Sequence, residues 1–330
     1  MTPQPHPRRP RSPLARALSA ATTLLTATAV LVGCGSSGSS GGTASPSASA
    51  AASFPATVTA ANGAVTIKAQ PQHIVSLSPT ATEDLYAVGA GKQVVAVDSM
   101  SNYPSGVPTT TLSGLTPNVE AIVAHHPDLV IASQDTNGLV AGLTKLGVPV
   151  MIEPAAAKLD DAYQQIERIG QATGHTAEAG KTVTDMKARI ADTVKQAGSG
   201  HANLSYFWEV SANPYYSATS TTFVGQVASM FGLKNIADAA AKAADGGYPQ
   251  LAQEYIVQAQ PQLVFLTDSG AASGGQTAQV VAARPGWATV PAVKNKQIIA
   301  LNEDIASRWG PRLPELVAAI AQAVQKAPAQ

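Results

Sequence analysis

The chain contains few charged residues and no excess of either sign. Charged residues make up 13% of its 330 positions, with 21 Lys and Arg against 21 Asp and Glu. This balance excludes the basic surface on which nucleic-acid binding depends. The sequence also has a single cysteine, Cys34, and no His-Glu-x-x-His pair. One cysteine excludes an intramolecular disulfide, and the missing catalytic motifs lead us to expect neither enzymatic activity nor a bound cofactor.

An export signal is predicted at residues 1–33. Four arginines lie within the first 16 residues, and residues 17–33 are uncharged, which is the order of regions in a signal peptide. The run ends in Leu-Val-Gly-Cys, which resembles the lipobox of bacterial lipoproteins and implies that Cys34 is lipidated and becomes the mature N-terminus. The alternative is an ordinary secretory signal with a chance cysteine. Arg8 and Arg9 lack the rest of a twin-arginine pattern, so general secretion is favoured.

Residues 34–56 are predicted to be the lipidated cysteine and a flexible tether. Residues 35–53 consist only of Gly, Ser, Ala, Thr and Pro, so they cannot bury a core. The two acyl chains of a diacylglyceryl group hold a protein durably at a bilayer. We therefore expect an extracytoplasmic monomer that is anchored to the outer face of the cytoplasmic membrane.

Residues 57–158 are predicted to form an N-terminal α/β lobe. Strands are expected at 73–77, 93–97, 129–132 and 148–152, and helices at 79–89, 118–124 and 139–146. Ser78 and Pro79 suit the N-cap and first position of a helix. Ligands of parallel sheets bind outside the carboxyl ends of the strands. Three polar segments follow the strands there, at 78–80, 99–103 and 133–137; the alternative is that they are ordinary loops and caps.

Connecting helices are predicted at residues 159–200, followed by a C-terminal α/β lobe at 201–330. The longest helix spans 176–196, with Thr176 as its N-cap and an apolar face of Val183, Met186, Ile190 and Val194. A shorter helix begins at Leu159 and is expected to break around 170–174. In the second lobe, strands are expected at 204–210, 263–267 and 297–301, and helices at 222–231, 251–259 and 313–324.

An internal repeat links the two lobes. Residues 120–130 and 254–264 share the pattern Glu-x-Ile-Val-x-x-x-Pro-x-Leu-Val at identical spacing. Ile and Val suit the buried face of a helix, Pro ends it, and Leu-Val begins the next strand. A carboxylate in the first turn is favoured by the helix dipole, which is one explanation of Glu120 and Glu254. The other is that two equivalent carboxylates dock onto a symmetric basic partner.

Strands that alternate with helices predict two Rossmann-like lobes, each a mostly parallel sheet with flanking helices, joined by one long α-helix. Five segments strengthen this assignment: Ile-Val-Ser-Leu-Ser-Pro-Thr-Ala-Thr-Glu at 74–83, Ser-Asn-Tyr-Pro at 101–104, the repeat at 120–132, Leu-Gly-Val-Pro-Val at 146–150, and Ser-Arg-Trp-Gly-Pro-Arg at 307–312. With them the chain resembles the substrate-binding proteins of ABC importers for ferric siderophores, haem and vitamin B12.

The resemblance implies that the chain captures cobalamin or a ferric siderophore between its lobes and delivers it to a permease dimer. It implies that Glu120 and Glu254 meet arginines of the two permease subunits. It further implies ligand contacts from both lobes, namely Ser78, Tyr103, Gln134, Trp208, Tyr215, Tyr248, Asp268 and Arg308. Residues 112–115 lack the Trp that the vitamin B12 binders carry in this loop, and cobalamin and ferric siderophore both stay open.

The same sequence leaves three alternative functions: binding of haem or a metal ion, catalysis, and a scaffold role at the surface. Haem binding and direct Zn or Mn binding are alternatives within the same class of transporters. Direct metal binding would need clustered ligands, but the histidines are scattered, and the adjacent His125 and His126 would point in different directions on a helix. We therefore expect no directly bound metal ion. Glu83 and Asp84 are also adjacent on a predicted helix, so we expect them not to share a catalytic site. A surface scaffold lipoprotein is the remaining alternative.

Overall fold

A computed structural model describes residues 53–201, 203–270 and 273–328. The predicted signal at 1–33, the lipidation site Cys34 and most of the tether at 34–56 lie outside the described residues. In the part that the structure describes, no helix is both long and apolar enough to cross a bilayer.

The described ranges contain twelve short strands. They are β1 (Ala56–Ala60), β2 (Gly63–Ile67), β3 (Ile74–Leu77), β4 (Val94–Asp98), β5 (Thr109–Leu112), β6 (Leu129–Ala132), β7 (Val150–Ile152), β8 (Ser205–Ala212), β9 (Tyr215–Ser217), β10 (Lys234–Asn235), β11 (Leu263–Leu266) and β12 (Ile298–Ala300).

Helices separate most of these strands. They are α1 (Pro79–Ala87), α2 (Val119–Val123), α3 (Leu139–Lys145), α4 (Leu159–Thr173), α5 (Thr176–Ala197), α6 (Phe223–Ser229), α7 (Gln253–Ala259), α8 (Ala278–Ala282), α9 (Pro291–Lys294), α10 (Glu303–Ser307) and α11 (Leu313–Lys326).

The first lobe is built on a five-stranded parallel sheet in the order β5-β4-β3-β6-β7. Every residue of β3 and β6 is buried, because helices cover both faces of the sheet and both faces therefore need apolar side chains. Helix α1 begins as the sequence predicts, with the Ser78 hydroxyl accepting a hydrogen bond from the Ala81 N–H and Pro79 at the first position.

The second lobe has a sheet in the order β10-β8-β11-β12, all parallel, with β9 pairing antiparallel to β8. Together the two sheets and the long helix between them confirm the predicted fold of two Rossmann-like lobes. The predicted strands and helices agree with the structure to within two residues at their ends.

The long helix α5 has 22 residues and is about 33 Å long. Its buried face contains Val183, Met186 and Ile190, as their spacing predicts. One detail of the prediction is wrong: His175, not Thr176, is the N-cap residue. The predicted break at 170–174 is confirmed, since α4 ends at Thr173 with Gly174 as its left-handed C-cap. Gly170 is still helical, and a glycine is needed there because α4 lies so close to α5 that a Cβ would clash with Ala179.

One continuous hydrophobic core joins the two lobes. It contains apolar side chains from α1, α4, α5 and α11 and from strands of both sheets, such as Ile131 and Phe265. A smaller hydrophobic core covers the outer face of each sheet, one in each lobe. The lobes are therefore packed onto a shared helical layer, in addition to being joined by the chain.

Candidate functional site

The carboxyl ends of the strands in both lobes border two neighbouring cavities. The first has a volume of about 260 Å³ and the second about 400 Å³. Ser307, Arg308 and Trp309 line both cavities, so this segment between α10 and α11 divides the space between the lobes. We call the two cavities and this dividing segment the cleft.

The first cavity lies between the lobes, with polar groups from the first one. Ser78 follows β3, Asp98 ends β4 and Ser133 follows β6, and all three line the cavity together with Met100 and Leu115. The strand ends therefore converge as the parallel sheet predicts. The Ser101 hydroxyl donates to Asp98 at 2.5 Å, while burial raises the pKa of the Asp98 carboxyl.

The second cavity has mainly apolar walls from the second lobe. Trp208, Phe223 and Tyr248 line it, and Ala155 and Ala156 close it from the segment that follows the first lobe. Trp208 is held in place by Phe265, with their ring centroids 5.4 Å apart. Flat or apolar parts of a ligand would find their contact area here.

Arg308 connects the lobes across the cleft. The side chain is only 8% exposed, and its guanidinium donates to Glu83 at 2.8 Å, to Asn102 at 2.8 Å and to the Met100 carbonyl at 3.1 Å. A fourth hydrogen bond, at 2.7 Å, reaches Asp304 in its own lobe. The three bonds to the first lobe tie that lobe to the second at this point.

Glu83 binds a second arginine as well. Arg312 donates to both of its carboxylate oxygens, at 2.9 and 2.6 Å, and stacks over the Tyr103 ring with its guanidinium carbon 4.2 Å from the centroid. We call Glu83, Arg308 and Arg312 the interlobe bridge. Glu83 is 2% exposed, so two cations compensate one buried carboxylate.

This role of Glu83 was not predicted from the sequence, where Glu83 and Asp84 were expected to diverge as neighbours on a helix. Both are buried against the segment 308–312 of the other lobe. Asp84 lies close to Gly310, where a Cβ would be 3.2 Å from Oδ1. Burial, followed by the charges of Glu83 and Glu153, raises the pKa of Asp84 well above its ordinary range. The sequence does single out these residues, because Glu83 is the last residue of the family segment 74–83 and both arginines lie in the family segment 307–312.

The structure brings four of the predicted ligand residues to the cleft and leaves four outside its walls. Ser78 lines the first cavity, Trp208 and Tyr248 line the second, and Arg308 lines both. Tyr103, Gln134, Tyr215 and Asp268 line neither cavity. The binding roles of all eight residues stay predictions.

Tyr215 and Asp268 belong to a buried polar cluster of the second lobe. Arg284 donates two hydrogen bonds of 2.6 Å to Glu209 and lies over the rings of Tyr215 and Trp287. Asp268 is 1% exposed, and burial, followed by the charge of Glu209, raises its pKa to about 6. Within the described ranges no group of three His, Cys, Asp or Glu residues is placed to hold a metal ion.

Glu120 and Glu254 are exposed in the first turns of α2 and α7. The repeat that contains them extends to the backbone, since His126 and Gln260, at equivalent positions, have φ angles of 51° and 48°. Each repeat therefore places a residue with a left-handed backbone conformation between its helix and the strand that follows, β6 or β11. Both carboxylates are accessible to a partner.

Comparison with known proteins agrees with this architecture. The chain matches the model of the periplasmic binding protein family over residues 74–305. It is 34% identical over 280 residues to the uncharacterized ABC transporter substrate-binding lipoprotein YvrC of Bacillus subtilis (strain 168), covering 82% of this chain and 86% of that protein. It is 31% identical over 282 residues to a cobalamin-binding protein of Halobacterium salinarum, covering 83% of this chain and 75% of that one.

A solved structure shows the same fold. The periplasmic heme-binding protein RhuT of Roseiflexus sp. RS-1, in its apo form, superposes with a TM-score of 0.67 at 27% identity, covering 79% of this chain and all of that chain (100%). The family model spans well over half of the sequence, and the relatives are matched over most of their length. The chain therefore belongs to the periplasmic binding protein family.

Proposed function

We propose that this chain is the substrate-binding protein of an ABC importer, that it captures a chelated-metal nutrient in the cleft, and that it delivers the chelate to a permease dimer. Cobalamin and a ferric siderophore are the two ligands proposed. The observation that carries this function is the pair of cavities at the carboxyl ends of both sheets, with aromatic walls on one side and polar groups on the other. The cobalamin-binding relative supports it.

The chemistry of the cleft favours a large, partly apolar ligand. Met100 and Leu115, which line the first cavity, are among the most exposed apolar side chains that the structure describes. Side chains of this kind gain free energy when a ligand covers them. Their position opposite Trp208 and Tyr248 suits a ligand with apolar surface on two sides.

Such a ligand requires movement of the interlobe bridge. The cavities are about 260 and 400 Å³ and are separated by Arg308 and its neighbours, whereas pockets for small ligands commonly hold about 300–1,000 Å³. A chelate that contacts both lobes must therefore displace the dividing segment. Arg308 is then a contact of the bound ligand as well as a link between the lobes.

Haem is the second candidate. The haem-binding structure with the same fold supports it, and Tyr248 lines the second cavity with an exposed phenol of a type that can ligate haem iron. Tyr103 is also exposed but lines neither cavity. Burial raises the pKa of the Tyr248 hydroxyl, which opposes formation of the phenolate that would bind iron. Tyr103 stacks on Arg312. These contacts make cobalamin and ferric siderophores the first choice.

Docking is proposed through Glu120 and Glu254. Both are exposed at equivalent positions of the repeat, and a pair of carboxylates suits a permease dimer that presents one arginine-rich surface to each lobe. The protein is proposed to be a monomer with no enzymatic activity. Lipidation of Cys34 would hold it at the outer face of the cytoplasmic membrane.

Tryptophan fluorescence tests the ligand. The protein is titrated side by side with cyanocobalamin, a ferric trihydroxamate and haem, and binding is confirmed by calorimetry because these chelates absorb light. We expect one of them to quench the emission, and Trp208→Phe combined with Trp309→Phe to remove most of the quenching, because these two tryptophans line the cleft. Trp287→Phe is the matched control, because Trp287 is buried beside Tyr215 and lines neither cavity. Absence of binding by all three chelates refutes the proposal and favours a free metal ion or a scaffold role.

A further inference from the structure

The two arginines of the interlobe bridge are already neutralised by carboxylates of the protein. Arg308 and Arg312 are two positive charges, and Glu83 and Asp304 are two negative charges in direct contact with them. Glu83 accepts one hydrogen bond from Arg308 and two from Arg312. No net positive charge remains in this group for a ligand to use.

The other charged groups that face the cleft are acidic. Arg308 is the only basic residue that lines either cavity in the described part of the chain, whereas Asp98, Glu303 and Asp304 are carboxylates of their walls. Glu303 is held by the Gly270 N–H and the Ser273 hydroxyl, which donate to a charged acceptor. The cleft is therefore neutral to negative.

An anionic ligand that binds these arginines must compete with Glu83, which occupies Nε and Nη2 of Arg312 and Nη1 of Arg308. That carboxylate is 1% exposed in its side chain, and without its partners it would be a buried uncompensated charge, which is strongly unfavourable. The neighbouring carboxylates would repel the incoming anion in a site of low dielectric. A ligand without negative charge is not repelled, and it can leave Arg312 paired with Glu83 when the dividing segment moves.

We propose that the cleft takes metal chelates of zero or positive net charge and rejects polyanionic ones, and that Glu83 determines this specificity. The inference rests on the proposed function and narrows its ligand class. It favours corrinoids and hydroxamate chelates over catecholate or carboxylate chelates. Glu83 acts as an internal counter-ion that occupies the two guanidinium groups a polyanion would need.

Calorimetric titration against chelates of different charge tests the inference. The probes are cyanocobalamin and a ferric trihydroxamate as neutral ligands, a ferric trihydroxamate with a free amine as a cation, and a ferric tris-catecholate as a polyanion. We expect the wild-type protein to bind at least one neutral or cationic probe and to bind the polyanion about 100-fold more weakly or not at all. A polyanion that binds as tightly as the best neutral probe refutes the inference and leaves the proposed function intact.

The variant Glu83→Gln makes the test specific. It leaves Arg312 without its carboxylate partner and Arg308 with Asp304 alone, so the affinity for the polyanion relative to that for the best neutral or cationic probe should rise by at least about tenfold. Glu153→Gln is the matched control, because Glu153 is another buried carboxylate of the first lobe that pairs with an arginine, Arg168, but lines neither cavity. We expect that control to keep the wild-type ratio.

A second variant covers the possibility that Glu83→Gln does not fold, which a thermal unfolding scan would reveal. Asp304→Asn removes the other carboxylate from Arg308, and its side chain is 35% exposed, so folding should survive. The ratio should shift toward the polyanion in this variant too. An unchanged ratio in the folded variants refutes the inference. If no probe of any charge binds the wild-type protein, the proposed function fails and this inference fails with it.

Discussion

Ionisation of Asp268 should destabilise the folded protein at neutral pH. Both carboxylate oxygens are buried and have no hydrogen-bond partner in the described part of the chain. Burial, and then the negative charge of Glu209, raises the pKa from 3.8 to about 6. Between these values the native state holds a proton that the unfolded chain has released. The contribution of Asp268 to stability is therefore largest below the lower pKa and is lost as the pH rises toward the higher one.

The magnitude follows from the two pKa values. They differ by about 2, and each tenfold difference in proton affinity corresponds to about 1.4 kcal/mol. The ionised carboxylate then costs the native state about 3 kcal/mol. Asp268→Asn keeps the shape of the side chain and removes its ionisation. We expect the free energy of unfolding of the variant, relative to the wild type, to be about 2.5 kcal/mol higher at about pH 7.5 than at about pH 4, because the carboxyl of the unfolded chain is already more than half ionised at about pH 4.

Urea-induced unfolding of both proteins at a series of pH values measures this difference. Comparing variant with wild type cancels the titration of Asp84, Asp98 and other buried groups. Asp192→Asn is the control, because Asp192 is exposed on α5 and its replacement should leave the pH dependence unchanged. If the difference between Asp268→Asn and the wild type is the same at both pH values, burial does not disfavour the charged form and the reasoning is wrong.

Three further predictions concern transport, anchoring and motion. Glu120→Ala combined with Glu254→Ala should lower uptake of the ligand in cells at least about tenfold while calorimetry gives an unchanged affinity; a lost affinity would contradict the assignment of these exposed carboxylates to docking. Cys34→Ala should move the protein from the membrane fraction to the soluble fraction, and continued retention in the membrane fraction would rule out the lipid anchor. Solution scattering should show that the lobes rotate by only a few degrees on ligand binding, because they share a core along α4, α5 and α11. A large rotation would show that this core does not limit closure.

Local patterns were enough to predict the elements that lie in the cores. Strand β6 is a continuous apolar run, β3 is interrupted only by Ser76, and α5 has an unbroken helical period, so burial and periodicity both indicate the correct element. The 22-residue length of α5 follows from the same pattern. The repeat was also recognisable, although only the structure shows that it includes the left-handed residues His126 and Gln260.

Elements at the edges of the sheets were harder to predict. Strand β10 has two residues and β9 has three, too few for an alternating pattern to be distinguished from a turn. Strand β5 is Thr-Thr-Thr-Leu with one buried residue, and the short helices α8, α9 and α10 have four or five residues each. Neighbouring strands and helices stabilise these elements, and a single local sequence does not contain that information.

The interlobe bridge could not be derived from spacing alone. Glu83 and Arg312 are 229 residues apart in the sequence, and no periodicity relates positions in different lobes. Trp208, Tyr215 and Arg308 were all predicted as ligand contacts through the family resemblance, and these roles stay predictions. Trp208 and Arg308 line the cleft, whereas Tyr215 lies against Trp287 and Arg284. A family motif indicates which residues belong to the site region, but it does not distinguish a residue that contacts the ligand from one that packs against such a residue.

The shared core has a consequence for how the chain folds. Because α11 completes a core that begins in the first lobe, neither sheet has all of its packing partners until both halves of the chain are present. Contacts across this sequence distance slow folding, since a long loop must close before they form. We therefore expect the lobes to fold and unfold in one cooperative transition, and a fragment that contains only the first lobe to expose apolar surface and aggregate.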